Sequence, residues 1–555
     1  MRVKLIIIII SSFSFGLIPT HYFINDLNQS NNYDTDGLSS NIIIDIESLG
    51  NSVFLSTSNG IGGANYNQPN FVFYDFEDSN LPEGGNPAMV VKNNVIAVSG
   101  SATVSHAGQN HPAGTGVAYS VDAGNNWNYM SQSVDQLPNL WSCSNYDYDN
   151  VFFSDKNECG ASCFNCDGES ASCVKIYDYV SWGGQDEILH LSVTVPINNI
   201  SYDLEIHGNY IYASSWAGGL RRFNYTLDSP SWEIIPLPMD NQLELLCGEI
   251  NLDSYQINPV GDCDSEFDNH KAFSVFGLED TLWVGTAGGI NKGIVDGDCI
   301  DWTHLSSYQN SFFDDWVIGF ENQVLDNGLE RIWALTWDKE SQGSIGVPSF
   351  SDNGGLDWEF PNQLVELGVK SYNISFYSNY IYLSTNQGLY ISNNGEFWER
   401  FDNPVDYLNQ QILSEIVYDA EIINDRLWIG TGDGVAVSEN LIAADWMIYR
   451  FWNEPSTFDV YPNPFVVDGH NFIDGHGHVR FVYPGEDLSA TIDIFDFSMD
   501  LVASIENPTI VNEQIEFIWN GFNIYSQRVE NGVYFCRLNY NGAYKWVKLA
   551  VIKGA

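Results

Sequence analysis

The chain is poor in basic residues, with 21 Lys and Arg against 72 Asp and Glu and a formal net charge of −51. A surface with so few cations repels phosphate backbones and anionic lipid headgroups, so the composition excludes a nucleic-acid partner and a polybasic membrane contact. An acidic surface suits an extracellular milieu, although solubility through self-repulsion is the simpler explanation. The aromatic content of 14% is ample for packed cores and argues against a disordered chain.

Long apolar runs are also scarce, and the only one stands at the start of the sequence. Arg2 and Lys4 are followed by an apolar stretch from Leu5 to Ile10 that continues, broken by serines, to Ile18. Two cations before an apolar run of this length predict a secretory signal peptide, which we place at residues 1–24. A retained N-terminal anchor is the alternative. No later run has spanning length, so we expect no integral membrane segment after signal cleavage.

Complete metal motifs are lacking. Cys163 and Cys166 form a C-x-x-C pair, but no second pair and no nearby His complete a zinc set. In an exported chain, disulfides are therefore the default for the nine cysteines. The odd number leaves at least one free thiol, and Cys536 or Cys299 is the expected one because each lies within a strand-like pattern. No cofactor is predicted; Asp-rich stretches leave calcium open but do not complete a calcium loop.

The middle of the chain is self-similar. An apolar strand pattern, a small residue with Thr or Ser, and a turn glycine recur seven times, with the glycines at Gly60, Gly116, Gly219, Gly289, Gly346, Gly388 and Gly434. The last three lie 42 and 46 residues apart, the size of a four-stranded propeller blade. Radial stacking buries both faces of such sheets. The sequence therefore predicts an all-β fold with a seven-bladed β-propeller over residues 42–452 and a Cys-rich insert at about 131–190.

We also expect the ends of this propeller to meet in one blade. The N-terminal strand pattern at 41–46 and the pattern at 447–451 would share a sheet, which would close the ring without a long open edge.

A second repeated motif follows several of the strand patterns. Residues 120–127 fit S-x-D-x-G-x-x-W completely through Asp122, Gly124 and Trp127. A second copy contains Asn353, Gly355 and Trp358, with Asn in place of Asp, and a third copy at 391–398 lacks the Ser in register. The motif resembles the Asp-box hairpin of sialidase-like propellers. In that family the Asp braces a tight turn and the Trp packs between sheets, so the resemblance implies a structural role.

The strand cassette at 427–431 resembles the propeller repeats in the sensor regions of two-component regulators. Together, the two resemblances imply a fold rather than a function.

Catalytic patterns are weak in the repeat region. Sialidases use an arginine triad and an early Arg-Ile-Pro motif, which is absent here, so that activity is disfavoured. A glycan-active enzyme, either a glycosidase or a lyase, remains the alternative to a binding protein. Trp216 and Trp337 are the candidate ligand-binding residues, because exposed aromatic rings near a propeller mouth stack on sugars or hold peptide side chains. Ordinary packing between blades is the competing interpretation.

The segment from 461 to 555 follows a linker at 453–460 and changes character. Its strand patterns alternate apolar and polar residues, which predicts a small β-sandwich. It resembles the FlgD/Vpr Ig-like domain and the C-terminal sorting domains of the type IX secretion system. The shared positions are Pro462, Asn463, Pro464, Gly532, Tyr534 and Lys553. Phe497 and Tyr525 stand near positions where that family usually carries glycine, which weakens the argument for active sorting.

The sequence hypothesis is thus an exported, non-enzymatic binding propeller followed by a small Ig-like β-sandwich. We expect it in the medium or on the outer surface of a Gram-negative bacterium. Its predicted partners are a protein or glycan ligand and, through the C-terminal domain, the secretion machinery.

Overall fold

The strands account for most of the chain that the structure describes. The structure, a computed structural model, describes residues 38–65, 72–75, 80–106, 108–143, 173–259, 267–406, 411–412, 414–438, 446–450, 458–467, 476–485, 487–511 and 514–553. Helix is confined in these residues to a 3-10 turn at Asp268–His270 and to α1 (Ser307–Asn310) and α2 (Asn362–Leu367). The all-β prediction is confirmed. The predicted signal peptide lies outside the described residues.

The strands before the tail form a series of mainly antiparallel meanders. The first sheet contains β1 (Ile43–Leu49), β2 (Ser52–Thr57), β3 (Gly60–Asn65) and β4 (Val72–Asp75). The second contains β5 (Met89–Lys92), β6 (Val95–His106), β7 (Gln109–Ser120) and β8 (Asn128–Met130). A third combines β9 (Leu140–Cys143), β10 (Cys173–Trp182) and β11 (Gln185–Leu191) with the later β17 (Gln256–Ile257). The next contains β12 (Ser201–His207), β13 (Tyr210–Ser215), β14 (Gly219–Asn224) and β15 (Glu233–Ile235).

Four further sheets complete this series. One contains β16 (Glu244–Leu245), β18 (Ala272–Leu278), β19 (Thr281–Thr286), β20 (Gly289–Asp296) and β21 (Cys299–Leu305). The next contains β22 (Trp316–Val324), β23 (Glu330–Trp337) and β24 (Gly346–Ser351). The last two contain β25 (Ser371–Tyr377), β26 (Tyr380–Thr385), β27 (Gly388–Ser392) and β28 (Glu399–Arg400), and then β29 (Val417–Ile423), β30 (Arg426–Thr431), β31 (Gly434–Ser438) and β32 (Trp446–Tyr449).

The tail forms two sheets. Their strands in spatial order are β33 (Asp459–Tyr461), β35 (Val479–Pro484), β39 (Gln514–Trp519) and β38 (Thr509–Val511), and then β34 (Phe465–Val466), β41 (Ala543–Ile552), β40 (Gly532–Tyr540), β36 (Thr491–Phe495) and β37 (Leu501–Ile505). Both sheets contribute to one core, in which Phe465, Phe481, Ile492 and Leu549 have no exposed surface. The alternating strand patterns thus bury their apolar faces against each other.

The chain divides into two compact units. Among the described residues, the first unit contains 80–371 and 395–397, and the second contains 38–75, 372–394 and 398–553. The second unit therefore includes the first meander, the last two meanders and the tail sheets.

A hydroxyl explains why Thr recurs before the turn glycine. Thr57, Thr286, Thr385 and Thr431 each end the second strand of a meander and donate Oγ1–H to the carbonyl of the Gly three residues later, at 2.7–3.0 Å. The same oxygen accepts the amide N–H of the residue two positions after the Thr, at 2.9–3.1 Å. The turn glycines in these four hairpins have φ between 91° and 121°, where other residues are strained. The Thr-x-x-Gly spacing is thus a hydrogen-bonding requirement of the hairpin.

The predicted sharing of a blade by the two ends is wrong. β1 pairs with β2 in a sheet of its own, and β32 pairs with β31. The reason is that β4 already supplies a fourth strand to the first sheet, so neither meander needs a strand from the other. Within the second unit the two sheets are neighbours instead, since the Ile46 amide N–H donates to Asp419 Oδ2 at 2.8 Å.

The cysteines correct one expectation. Cys299 is not free but forms a disulfide with Cys247. The loop that carries Cys247 is held against β21 because its amide N–H donates to Asp301 Oδ1 at 2.9 Å. Cys536 is free and buried in the tail core. Cys143 and Cys173 are register partners on β9 and β10, and the cysteines between them lie outside the described residues.

Candidate functional site

The hairpin between β13 and β14 places one predicted ligand residue at a surface of the first unit. Trp216 is half-buried there, and its ring packs against Phe273, with 5.4 Å between centroids. Lys271 Nζ lies 5.0 Å from the centroid of the same indole, within the range of a cation–π contact. Trp216 is therefore partly accessible, and its indole lies beside an ammonium group.

A single carboxylate holds two lysines beside this ring. Asp268 Oδ1 accepts from Lys271 Nζ at 2.5 Å, and Asp268 Oδ2 accepts from Lys339 Nζ. Asp268 is fixed in turn because Asp240 accepts its amide N–H at 3.0 Å and that of Asn269 at 2.8 Å. Burial opposes ionisation of Asp268, but the two ammonium groups outweigh it and lower the pKa of the carboxyl. We call Trp216, Asp268, Lys271 and Lys339 the tryptophan–lysine cluster.

The cluster has one carboxylate for two cations, which is unusual on so acidic a chain. The Lys339 side chain is 42% exposed, whereas that of Asp268 is 7% exposed, so Lys339 is the charged group of the cluster that reaches solvent. A half-buried indole beside one exposed ammonium group, that of Lys339, can stack on a sugar ring or a planar side chain and pair with an anionic group on the same ligand.

The expected exposure of Trp337 is wrong. Its side chain has no exposed surface, and its Nε1–H donates to the backbone carbonyl of Ser371 at 2.8 Å. Lys370 Nζ lies 3.7 Å from its ring centroid, and burial lowers the pKa of that lysine to about 8. The indole ends β23 and points into the protein, so its position after the strand pattern did not indicate exposure.

A second group of ionisable side chains lies along the first strands of three meanders in the first unit. Glu205 on β12 accepts from Lys92 Nζ at 2.7 Å, and His207 follows two residues later. Burial raises the pKa of Glu205 against the opposing effect of Lys92. On β22, burial raises the pKa of Glu321 to about 7, and the charge of Glu205 adds to the shift. A Cβ on Gly277 would lie 2.6 Å from His207 Nδ1, so this glycine makes room for the group.

The Asp122 side chain forms hydrogen bonds within its own turn. Asp122 Oδ1 accepts from the Asn126 amide at 2.9 Å and from Ser120 Oγ at 2.8 Å, and Oδ2 accepts from Asn126 Nδ2 at 2.6 Å. Hydrogen bonds, first that from the Asn126 side chain, lower the pKa of Asp122. Gly124 has φ of 84°, and Trp127 is buried. The carboxylate thus organises the turn and faces no site.

The second copy repeats this arrangement with a neutral side chain. Asn353 Oδ1 accepts from the Asp357 amide at 3.0 Å and from Ser351 Oγ at 2.9 Å. Gly355 has φ of 90°, and the buried Trp358 packs edge-on against Trp283 at 6.2 Å. In the third copy a Ser is present one position later than expected, where Ser392 bonds Asn394 at 3.2 Å.

The motif residues predicted in the tail contact its last two strands, β40 and β41. The peptide bonds Tyr461–Pro462 and Asn463–Pro464 are cis. Asn463 donates Nδ2–H to the Lys548 carbonyl at 2.8 Å. Its Oδ1 accepts the Ala550 amide at 2.9 Å, so the side chain pairs with β41 as a strand would.

Three other motif positions lie along β40 and just beyond β41. Tyr534 is buried and donates its hydroxyl to the Glu530 carbonyl at 2.8 Å. Gly532 pairs with Val551 across the β40–β41 ladder. The Lys553 amide donates to Asn531 Oδ1, and its Nζ lies 3.2 Å from Glu530 Oε1. These contacts hold the end of the chain against the start of β40.

A buried ion network in the second unit was not predicted from the sequence. Asp433, in the β30–β31 hairpin, accepts from Arg480 Nη2 at 2.6 and 2.7 Å and from Arg450 at 2.9 and 3.1 Å. Arg480 also donates to Glu516 Oε1 at 2.7 Å. All four side chains are 2–3% exposed. The network therefore joins the last meander to the tail sheet that contains β35 and β39.

The chain resembles known proteins in its fold only. No protein-family model and no curated protein matches the chain. Solved structures that resemble it include PorZ of Porphyromonas gingivalis, described as an essential bacterial surface component of the type IX secretion system, at 14% identity and a TM-score of 0.30. That match covers 92% of this chain, which spans 65% of the PorZ chain. The Cps50 (Swd1) β-propeller domain of Myceliophteria thermophila matches at 10% identity, over 71% and 95% of the two chains, with a TM-score of 0.38.

BamB from Moraxella catarrhalis matches at 11% identity over 73% of this chain and 98% of its own, with a TM-score of 0.33. The similar structures are β-propellers. Identities and scores at this level carry no information about ligands or activity.

Within the described residues, no group of three or more His, Cys, Asp and Glu side chains is placed to hold a metal ion. Nor does that part of the chain contain a helix of sufficient length and apolarity to cross a bilayer.

Proposed function

We propose that this chain is an exported, non-enzymatic binding protein. It consists of a seven-bladed β-propeller over residues 42–452, built on Asp-box and regulator-type repeats, and an Ig-like sorting-type domain over residues 461–555. The blade count is supported by seven described meanders that each carry one of the repeat glycines. The sheet of β9, β10, β11 and β17 then belongs to the insert, since β17 joins it in parallel from a distant part of the sequence.

The observation that carries the binding role is the tryptophan–lysine cluster. It combines a half-buried indole with two lysines that share one buried carboxylate. The ligand is a protein or glycan that offers a planar or sugar surface and a negative group to Lys339.

A glycan array probed with the mature chain tests this role. Trp216→Ala and Lys339→Ala should each weaken binding to the glycans that score, by about tenfold for the loss of one cation–π or ionic contact. Lys292→Ala is the matched control, because Lys292 Nζ also lies over an indole, 5.2 Å from the Trp283 centroid, on a different strand. Equal losses in all three variants, or an array on which no glycan binds, would count against the cluster as the ligand site.

The tail is proposed to direct export or surface attachment through the secretion machinery. The Ig-like assignment is supported by the two sheets around one core and by Tyr534, whose hydroxyl bonds backbone four residues upstream as in the tyrosine corner of Ig-like sandwiches. The signal peptide at 1–24 and a location outside the cell, at the outer surface of a Gram-negative bacterium, belong to the same proposal. Surface localisation that survives deletion of 461–555 would refute the role of the tail.

A specific observation favours a glycan-active enzyme as the second candidate. Glu205 is paired with Lys92 at 2.7 Å, whereas burial raises the pKa of the neighbouring carboxyl of Glu321 to about 7. Glycosidases use two carboxyls in such different environments, one ionised and one protonated. A hydrolysis assay run beside the glycan array separates the two functions. Glu321→Gln would abolish turnover by an enzyme and leave binding at the tryptophan–lysine cluster unchanged.

A further inference from the structure

The last strand of the tail has an edge that is only partly covered. β41 pairs with β40 along its whole length, from Ala543 to Val551. On its other side, β34 pairs only with Val551 and Ile552. Asn463 occupies the neighbouring backbone groups, the Lys548 carbonyl and the Ala550 amide. In the part of the tail that the structure describes, no strand pairs with this side of residues 543–547.

The alternation of an antiparallel ladder shows which backbone groups face outward. Successive residues of an edge strand point their N–H and C=O groups alternately toward the partner strand and away from it. Asn463 contacts Lys548 and Ala550, so the even-numbered residues of β41 face away from β40. The N–H and C=O groups of Tyr544 and Trp546 therefore point outward, where an added strand would pair with them.

The side chains at this edge are exposed aromatic groups beside cations. Tyr544 is 61% exposed and Trp546 is 49% exposed. Arg537 on β40 lies 4.8 Å from the Tyr544 ring centroid and 5.7 Å from that of Trp546. An extended chain docked here would lie along aromatic rings as well as backbone donors and acceptors.

Two lysines of β41 supply positive charge at this edge, in a chain of net charge −51. Arg537 is paired with Asp493 at 2.7 Å and Lys553 with Glu530 at 3.2 Å, so Lys545 and Lys548 are the cations that β41 offers to an added strand. A second copy paired along the same edge would bring Lys545 and Lys548 against themselves, and like charges on paired strands repel. Charge complementarity therefore favours a different, acidic occupant.

We propose that β41 from Ala543 to Lys548 is a docking edge for an extended acidic segment of a partner protein, which adds as a strand beside Tyr544 and Trp546. The inference rests on the last hairpin alone and holds whether or not the tail acts in export. Lysines at an edge also protect it from unwanted pairing. That protective role does not explain why the same strand also carries exposed aromatic rings.

The test uses the full mature chain and a capped, fluorescein-labelled eight-residue peptide that alternates Glu and Val. Fluorescence anisotropy should show binding that weakens with salt, and a peptide that alternates Lys and Val should not bind. Trp546→Pro removes one outward N–H without touching the ladder to β40. Trp546→Ala is its matched control, because it removes the same ring and keeps the N–H.

We expect Trp546→Pro to bind about tenfold more weakly than Trp546→Ala, as for a lost backbone hydrogen bond with added steric conflict. Lys548→Glu should weaken binding by a similar factor, whereas Lys548→Arg should not. Protection of the Cys536 thiol from iodoacetamide, read on the peptide that contains it by mass spectrometry, shows that each variant is folded. If Trp546→Pro loses this protection, the comparison of Lys548→Glu with Lys548→Arg tests the proposal instead.

Several outcomes would overturn the proposal. Equal affinity of Trp546→Pro and Trp546→Ala for the acidic peptide would indicate a charged face rather than strand pairing. Binding of an anionic polysaccharide that Trp546→Pro retains would indicate the same. A dimer in sedimentation velocity that Trp546→Pro abolishes would make a second copy the occupant. A monomer that binds no acidic peptide would leave the lysines as edge protection only.

Discussion

Replacing Asp433 by Asn removes the negative charge that two arginines share in the second unit. Arg450 and Arg480 both donate to this carboxylate, and Arg480 also pairs with Glu516. The four side chains are 2–3% exposed, and their formal charges cancel. Asp433→Asn leaves one uncompensated positive charge in a buried site, and breaking a buried ion pair from one side costs about 3–5 kcal/mol.

Pulsed hydrogen exchange during a urea titration measures this loss on the segment 476–485, which contains β35. The free energy of opening of that segment should fall by about 3–5 kcal/mol in Asp433→Asn. Arg450→Met added to this variant restores neutrality, because Arg480 keeps Glu516. The double variant should therefore be more stable than the sum of the single effects by about 1 kcal/mol or more.

Two results would refute this reasoning. A loss below about 1 kcal/mol in Asp433→Asn would mean that water or another group replaces the carboxylate. Strict additivity in the double variant would mean that the charges are not coupled.

Glu321→Gln should change how stability depends on pH. The pKa of Glu321 is raised from 4.5 to about 7 in the folded chain, so its carboxyl stabilises the fold below pH 4.5, and that stability is lost as pH rises through 7. The variant should gain up to about 3 kcal/mol over the native chain at pH 8 and nothing at pH 4 in paired urea titrations; a difference independent of pH would contradict the assignment. Thr286→Val should cost about 1–2 kcal/mol, because Thr286 Oγ1 bonds the Gly289 carbonyl, the Gly288 amide and Asn269. Thr281→Val on the same strand, at a half-buried position, should cost less than about 0.5 kcal/mol, and equal losses in thermal unfolding would remove the special role of the hairpin Thr. Cys536 should be alkylated by iodoacetamide only after the tail unfolds, because burial raises the pKa of its thiol; fast modification of the peptide that contains Cys536 in native buffer, read by mass spectrometry, would contradict its position in the core.

The repeat pattern allowed the meanders to be predicted because their determinants are local. Thr and Gly three residues apart form hydrogen bonds within one hairpin, so the residues that determine each turn lie within that repeat. The turn at Asp122 is local in the same sense. The number of blades and the domain boundaries remain predictions, since neither follows from a single hairpin.

The contacts that were not predicted join distant segments. Trp337 looked exposed because its burial depends on Ser371 and Lys370, which follow it by more than thirty residues. Cys299 looked unpaired because its partner lies 52 residues earlier. Asp433 was the one available sign of the ion network, because it is the only acidic residue within the four Thr-x-x-Gly turns themselves.

The ion network divides cleanly at the predicted linker. Asp433 and Arg450 stand before residues 453–460, and Arg480 and Glu516 stand after them. Each side keeps one acid and one base that already bond each other, so a cut in the linker followed by release of the tail would leave no unpaired charge on either product. The junction can therefore be firm in the intact chain and still separable after proteolysis of the linker.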